Sequence, residues 1–160
     1  TLFLTPLFGT LYDRIGKGAS LMITGAWLLI GVHVLFALPI LNAWWFATFV
    51  MIVLGIAFSL VPSAMWPSVP KIIPENQLGT AYALIFCVQN WGLMLVPLLI
   101  GWVLNSFCKG PVVDGIQTYD YTLPMSIFAV FGVLALIVAL MLKAEDKKKG
   151  YGLQEANIKK

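Results

Sequence analysis

Long uninterrupted apolar stretches dominate the chain and predict membrane-spanning helices. No charged residue lies between Gly18 and Pro70, a run of roughly fifty residues, more than twice the ~20 that one span needs. The apolar runs are continuous, whereas the strands of a membrane barrel would alternate apolar and polar residues. Since the hydrocarbon core holds no water to satisfy backbone groups, these stretches are expected to be helical. The pattern therefore predicts an all-α, polytopic membrane protein.

Four complete spans can be placed along the chain, each long enough at ~1.5 Å per residue to cross ~30 Å of hydrocarbon. The predicted spans are 19–39, 43–66, 79–105 and 122–142. Between and beyond them we predict a cytoplasmic loop at 13–18, a cytoplasmic loop at 67–78, an outer loop at 106–121 and a cytoplasmic basic tail at 143–160. The stretch from Lys149 to Lys160 is expected to be disordered.

The first segment, 1–12, is apolar but too short to span a bilayer. It has neither the basic start nor the small-residue cleavage site of a signal peptide. We interpret it as the end of a truncated transmembrane helix, and we expect the chain to be part of a longer protein.

Composition and charge support a membrane protein and predict its orientation. Hydrophobic residues make up 60% of the chain and charged residues 11%, which leaves too little polar surface for a soluble globule. By the positive-inside rule, the side that carries nine of the ten basic residues is cytoplasmic, together with the C-terminus. Lys109 is the exception. We expect the basic tail to contact the anionic lipid surface and do not expect a nucleic-acid partner.

A short charged motif follows the first apolar segment. Gly9, Asp13, Arg14, Gly16 and Lys17 lie in the pattern Gly-x-Leu-x-Asp-Arg-x-Gly-Lys. Gly9 allows a neighbouring helix to approach closely, and Gly16 permits a tight reversal of the chain. The Asp13 carboxylate is an anion that can sit at the N-terminus of another helix. The motif therefore predicts a gating loop, with a contact that forms in one conformation and breaks in another.

This pattern resembles the signature loop of the major facilitator superfamily, which that family carries between helices two and three and, more loosely, between helices eight and nine. Four spans and a tail follow the motif here, as at the second of these positions. The resemblance implies the C-terminal portion of a twelve-helix major facilitator fold, with the end of helix eight and helices nine to twelve. An ordinary charged turn under positive-inside pressure is the alternative.

A second stretch with specific polar positions runs from the end of the second span into the third. It is similar to one branch of the superfamily, which includes a lysosomal dipeptide uniporter and its bacterial relatives. The residues that carry this resemblance are Ala64, Met65, Trp66, Pro67, Pro74, Glu75, Gln77, Leu78, Gly79, Thr80, Ala81, Tyr82, Gln89, Asn90, Gly92 and Leu93.

Two adjacent amides, Gln89 and Asn90, lie about ten residues into the third span, near the bilayer midplane, where polar groups need partners. We expect them to face a central cavity and hydrogen-bond a polar solute; interhelical hydrogen bonding, worth ~1 kcal/mol, is the alternative. Trp66 and Ser59 are further candidate cavity residues. Ser59 belongs to a stripe of small residues that also fits simple helix packing.

The start of the third span is a candidate receiving surface for a gate. Glu75 can stabilise the N-terminus of this helix, and Pro74 ends the preceding turn. The family resemblance implies that the signature-loop Asp of the other half docks near this helix. By the same symmetry, Asp13 would dock on a helix of the missing N-terminal half.

His33 is the only ionisable side chain within the four spans, which makes it a functional candidate by default. We favour a neutral, hydrogen-bonded structural histidine, and proton coupling is the alternative.

Enzyme function finds no support in the sequence. The chain has no cluster with metal-ligand spacing, no Gly-rich phosphate loop and no catalytic triad, so we predict no catalytic residue, no metal and no cofactor. The predicted function is transport of a small polar solute, with a dipeptide implied by the branch and with uniport and proton coupling both open. A non-transporting four-helix membrane subunit or assembly protein is the alternative. Expected partners are the solute, the lipid bilayer and the missing N-terminal half; the bacterial inner membrane is favoured, and the lysosomal membrane if the source is eukaryotic.

Overall fold

The described part of the chain contains five α-helices and one small hairpin. The computed structural model describes residues 3–38 and 44–158. The helices are α1 Leu4–Ile15, α2 Gly18–Ala37, α3 Trp44–Ile72, α4 Leu78–Phe107 and α5 Thr122–Lys149, and a single turn of 3₁₀-helix, Glu75–Gln77, leads into α4. The strands β1, Lys109–Val113, and β2, Ile116–Tyr119, pair antiparallel between α4 and α5.

Four of the helical segments are long and apolar enough to cross a membrane: α2, α3, the segment Glu75–Phe107 and α5. Two helices extend beyond the apolar runs from which the spans were predicted. α3 continues past 66 to Ile72, although it contains Pro62, Pro67 and Pro70, and α5 continues past 142 to Lys149. At the C-terminal ends of α3 and α5, helical hydrogen bonding therefore continues beyond the last apolar residues. Polar residues can extend a helix outside the hydrocarbon.

The first loop is also shorter than predicted. α1 includes Asp13 and Arg14, so that only Gly16 and Lys17 separate α1 from α2. Thr1 and Leu2, which belong to the predicted truncated helix, lie outside the described residues, as do the predicted boundaries at 39 and 43.

Small residues bring α2 into close contact with two neighbours. A Cβ atom added to Gly25 of α2 would lie 2.7 Å from Val61 Cγ2 of α3, and one added to Gly132 of α5 would lie 2.8 Å from Ile30 Cγ1 of α2. Glycine at such positions lets helix backbones approach closely, which drives helix association in lipid. α2 is thus packed between α3 and α5, and α1 packs on α3.

α4 stands apart from this group of helices. It contacts α3, α5 and β1 only sparsely, and Val103 is its one buried residue. Most of its apolar length is exposed on the described part of the chain, which distinguishes α4 from the packed helices.

The two ends of the helices differ in charge. The end that contains the α1–α2 turn, which we call the basic end, carries Arg14, Lys17, Lys71, Lys143, Lys147, Lys148 and Lys149. The opposite end, the hairpin end, carries Lys109 in β1. Lys159 and Lys160, which belong to the predicted basic side, lie outside the described residues.

The prediction of a disordered tail from Lys149 onwards is wrong for the residues that the structure describes. Gly150 ends α5 with φ +66°, and its N–H donates to the Asp146 carbonyl at 2.8 Å. The chain then folds back onto the basic end, where the Leu153 side chain is fully buried. Polarity alone suggested disorder, but one buried leucine and several backbone hydrogen bonds hold the segment in place.

Candidate gating loop and substrate cavity

A reversal at Gly16 and Lys17 positions the charged motif at the basic end. Gly16 has φ +72° and ψ −134°, a combination that side-chain-bearing residues rarely adopt, and its N–H donates to the Tyr12 carbonyl at 2.7 Å. Lys17 follows with φ +59°, in the left-handed region. α1 therefore ends and α2 begins within two residues, which places Asp13 and Arg14 beside the start of α2.

Asp13 is half-buried and hydrogen-bonded at two of its atoms. Its Oδ1 accepts from Asn157 Nδ2 at 2.7 Å, and its carbonyl oxygen accepts from the Ile158 N–H at 3.0 Å. The neighbouring Arg14 side chain is exposed. The Arg14 guanidinium is thus exposed at the loop, while the Asp13 carboxylate is hydrogen-bonded to the C-terminal segment of the same chain.

Gly9 lies on a face of α1 that no described residue covers. A Cβ atom placed on Gly9 would meet no heavy atom within 4 Å. The close helix approach expected at Gly9 therefore has no counterpart among residues 3–38 and 44–158, and it remains a prediction.

The predicted receiving surface, Pro74 and Glu75, forms the exposed entry into α4. Pro74 is extended, with φ −59° and ψ 147°, and its carbonyl accepts from the Gln77 N–H at 2.9 Å. Glu75 opens the short 3₁₀ turn without capping it by a side-chain hydrogen bond. Both residues lie at the basic end, but on a different connection from Asp13.

Gln89 and Asn90 lie near the middle of α4, and both are exposed. Asn90 Nδ2 donates to the Phe86 carbonyl, four residues earlier in the same helix, at 2.7 Å. Neither amide contacts another helix among the described residues by hydrogen bond. Interhelical hydrogen bonding within this part of the chain therefore does not account for the pair.

Trp66 connects α3 to the first turns of α4. Its ring centroid lies 4.9 Å from that of Phe86 and 5.8 Å from that of Tyr82, and the Tyr82 hydroxyl donates to the Trp66 carbonyl at 3.4 Å. Since residues four apart share a helix face, Asn90 lies one turn beyond Phe86 on the side of this aromatic cluster. Gln89 and Asn90 therefore lie about one turn from Phe86, on the side of α4 that Trp66 contacts.

We expect Trp66 and Phe86 to be energetically coupled. Aromatic pairs at this separation are worth about 0.5 to 1.5 kcal/mol beyond their buried area, so the double variant Trp66→Ala/Phe86→Ala should lose less stability than the sum of the single variants. Equilibrium unfolding in mixed micelles measures this coupling. The matched pair Trp66→Ala/Leu84→Ala should be additive, because Leu84 lies on the opposite side of α4 from Tyr82 and Phe86, which contact Trp66. Additivity in both pairs would contradict the contact.

The assignment of Ser59 to a cavity is corrected by the structure. Its side chain has no exposed surface, and its hydroxyl donates to the Gly55 carbonyl at 2.8 Å. A hydroxyl that is both buried and satisfied by its own helix is not available to a solute. Ser59 is a packing residue of α3.

His33 adjoins an apolar groove of about 520 Å³ between α2, α3 and α5, lined among others by Phe58, Phe128 and Gly132. Its Nδ1 lies 2.7 Å from the Leu29 carbonyl, and its ring stacks on Phe128 at 5.4 Å. Since a carbonyl only accepts, Nδ1 carries the proton in this hydrogen bond. The contacts match the structural histidine that we favoured.

One carboxylate outside the helices has a perturbed pKa. Hydrogen bonding from Thr122, through its side chain and its backbone N–H, lowers the pKa of Asp120 below its usual value. The Thr122 N–H donates to Asp120 Oδ1 at 2.9 Å, so this carboxylate is the acceptor for the first backbone N–H of α5 at the hairpin end. Asp120 is a structural group, far along the chain from the candidate site.

Sequence reasoning missed the residues of the C-terminal segment that meet the gating loop. Leu153, Gln154, Asn157 and Ile158 all contact the α1–α2 region. The signals in the sequence were a lone leucine in a polar stretch and the helix-ending Gly150, and neither specifies a partner.

Comparison with known proteins places this geometry in context. The profile of the Major Facilitator Superfamily matches residues 1–157. The lysosomal dipeptide transporter MFSD1 of Mus musculus is 37% identical over 103 residues, which are 64% of this chain and 21% of that protein. The proteins of the same name from Gallus gallus and Homo sapiens are each 34% identical over 103 residues, 64% of this chain and 22% and 21% of theirs. The chain thus matches about a fifth of the length of these relatives.

Proposed function

The chain belongs to the major facilitator superfamily, and we propose that it forms helices nine to twelve, with the end of helix eight, of an alternating-access carrier for a small polar solute. In such carriers two helical halves rock about a site near the bilayer midplane. α2 to α5 then correspond to the four complete spans, and the charged loop at Gly9, Asp13, Arg14, Gly16 and Lys17 is the gating loop.

The exposed amide pair on α4 is the observation that supports this proposal best. An unsatisfied amide facing lipid tails costs several kcal/mol, so Gln89 and Asn90 require polar partners near the midplane. The described helices supply none beyond the Phe86 carbonyl. A polar cavity between the halves of a carrier provides such partners, and α4 is the helix whose long exposed face is free to line it.

We further propose that the solute carries both hydrogen-bond donors and acceptors, as a dipeptide or another small organic solute does. Each carboxamide offers one acceptor oxygen and two donor N–H groups, so the pair can bind either kind of group. The relatives named as dipeptide transporters support a dipeptide. The predicted spans contain no Asp or Glu, so carboxylates for proton coupling would lie outside this chain, and uniport remains open.

The gate is proposed to act at the basic end, which the positive-inside rule makes cytoplasmic. Asp13 would dock on a helix N-terminus of the other half, and the Pro74–Glu75 entry into α4 would receive the equivalent loop of that half. The membrane is the bacterial inner membrane for a bacterial source; the names of the relatives support the lysosomal membrane for a eukaryotic one.

Uptake by the full-length carrier tests the cavity. Gln89→Ala and Asn90→Ala each remove a side chain worth about 0.5 to 1.5 kcal/mol of hydrogen bonding, so solute affinity should fall about two- to tenfold in each variant. The measurement is dipeptide uptake into proteoliposomes over a range of concentrations. Asn105→Ala, an exposed amide near the hairpin end of the same helix, is the control and should transport normally.

The outcomes separate the proposal from its main alternative. Unchanged uptake in both amide variants would overturn the site. Absence of transport for dipeptides and other small organic solutes, in a correctly inserted full-length protein, would favour a non-transporting membrane subunit whose α4 packs against another protein.

A further inference from the structure

The C-terminal segment Gly150–Ile158, which we call the clasp, is held against the basic end by its backbone. The first N–H groups of a helix have no partner within that helix. Here the Lys17 and Gly18 N–H groups at the start of α2 donate to the carbonyls of Gln154 at 3.1 Å and Leu153 at 2.8 Å. The clasp therefore caps α2, which has no side-chain cap of its own.

The clasp has a buried anchor. The Leu153 side chain has no exposed surface, and the Leu153 N–H donates to Asp146 Oδ1 at 3.0 Å. A Cβ atom on Gly16 would lie 2.5 Å from the Glu155 carbonyl carbon, so the clasp backbone passes directly over the turn. None of these contacts involves the Asn157 side chain.

A cation from α3 ties the clasp to a third helix. Lys71 Nζ donates to the carbonyls of Gly152 at 3.1 Å and Glu155 at 2.9 Å, and it lies 5.3 Å from the centroid of the Tyr12 ring. Tyr12 is itself fully buried. The basic ends of α1, α2, α3 and α5 are thus joined through one short segment.

The last described residues of the clasp bind Asp13, one at its carboxylate and one at its backbone carbonyl. Asn157 Nδ2 donates to Asp13 Oδ1 at 2.7 Å, and the Ile158 N–H donates to the Asp13 carbonyl at 3.0 Å. A carboxylate has two oxygens and several acceptor positions, so a bond to Oδ1 orients the group while Oδ2 can accept from another partner. The neighbouring Arg14 side chain is exposed.

We propose that Asn157 is a positioning residue for the gate: it holds the Asp13 carboxylate in the orientation in which the other half of the carrier can bind it. This inference rests on the proposed function of the loop. Because Leu153 and Lys71 anchor the clasp independently, loss of the Asn157 side chain should leave the clasp closed and release only the carboxylate.

Hydrogen exchange in the full-length protein tests whether the clasp forms. Leu153→Ser should speed exchange of the Lys17 and Gly18 amides about tenfold or more, because they lose their acceptor carbonyls. Ile158→Ser is the matched control, since the Ile158 side chain is exposed, and it should leave those amides protected. Equal exchange in the two variants would overturn the clasp.

A partner swap tests the contact between Asn157 and Asp13. Asn157→Asp sets two carboxylates against each other and should speed exchange of the Ile158 amide. The double variant Asp13→Asn/Asn157→Asp restores an amide–carboxylate hydrogen bond with the partners exchanged, and it should return that amide toward wild-type protection. Failure of the swap to restore protection would overturn the contact.

Labelling of a cavity cysteine tests the positioning role. Cys87 and Cys108 are first replaced by serine, and Leu93→Cys places one thiol a turn beyond Gln89 on the same face of α4. A membrane-impermeant thiol reagent applied from each side reports the balance of inward- and outward-facing states. Asn157→Ala should raise the ratio of labelling from the basic end about two- to fivefold, a smaller shift than that of Asp13→Asn, while Ile158→Ser should not change it.

The outcomes distinguish this inference from the proposed function. If Asp13→Asn shifts the labelling ratio and Asn157→Ala does not, the gate stands and the positioning role is overturned. If neither variant shifts the ratio although the clasp is protected, the gate itself fails, and the positioning role falls with it.

Discussion

If the gate acts as proposed, replacing Asp13 with asparagine in the full-length protein should shift the balance of states toward the form that is open at the basic end. A carboxylate at a helix N-terminus contributes about 0.3 to 2 kcal/mol, and the neutral amide loses most of it. A change of about 1 to 2 kcal/mol alters the ratio of states by a factor of about five to thirty. Labelling of the Leu93→Cys thiol from the two sides measures this ratio.

The same substitution at the opposite end provides the control. Asp114 lies in the hairpin turn with φ +49°, a conformation that asparagine tolerates, so Asp114→Asn removes one negative charge without straining the backbone. It should leave the labelling ratio unchanged. Asp13→Asn should also leave membrane insertion intact, because the asparagine oxygen can still accept from Asn157. Equal ratios in the two variants would reduce Asp13 to an ordinary turn residue.

The apolar pattern was sufficient to predict the helical class and the membrane location. Lipid offers no hydrogen bonds, so an uncharged run such as the one before Lys71 must be helical whatever its tertiary contacts. The family could also be identified from the sequence. Asp13, Arg14 and Gly16 lie within four residues of one another, so their spacing can be read directly from the chain. The profile match over residues 1–157 bears out that identification.

The ends of the helices were less predictable, since apolarity measures where lipid ends and not where helical hydrogen bonding ends. α3 continues to Ile72 because backbone carbonyls near its end still accept hydrogen bonds; the Val69 carbonyl accepts from the Ile73 N–H at 3.0 Å.

The hairpin between α4 and α5 lies in the segment that was predicted only as an outer loop, although the sequence carries a signal for it. Asp114-Gly115, both with positive φ, is a favoured two-residue hairpin turn between β-branched and aromatic residues.

The clasp could not be predicted from the sequence, because its contacts are long-range. Asn157 contacts Asp13 although 144 positions separate them in the sequence, and no periodicity links them.

The cavity assignment of Ser59 could not be settled from the sequence for a different reason. Small polar residues in a stripe on a helix can serve packing or line a cavity, and the burial of the side chain shows that Ser59 serves packing. Gln89 and Asn90 are exposed near the middle of α4, and their place in a cavity stays a prediction that the uptake measurement tests.

Gly16→Ala should be among the most damaging single-methyl changes at the basic end. The backbone conformation at φ +72° and ψ −134° is nearly confined to glycine, and placing a side chain there costs about 1 to 3 kcal/mol. The new Cβ would also lie 2.5 to 2.6 Å from the backbone of Gln154, Glu155 and Ala156, which cannot yield as a flexible side chain does. Either the turn or the clasp must move.

Equilibrium unfolding in mixed micelles and exchange of the Lys17 and Gly18 amides distinguish these two responses. If the clasp moves, both amides should exchange faster than in wild type. If the turn moves instead, the amides should stay protected while the free energy of unfolding falls by about 1 to 3 kcal/mol, the cost of alanine in a backbone conformation that glycine adopts. Gly31→Ala is the matched control, since Gly31 lies within α2 and its Cβ would meet nothing within 4 Å. That control should be neutral or slightly stabilising, because alanine favours helix by up to ~1 kcal/mol. A Gly16→Ala variant as stable and as protected as Gly31→Ala would contradict both the strained turn and the clasp above it.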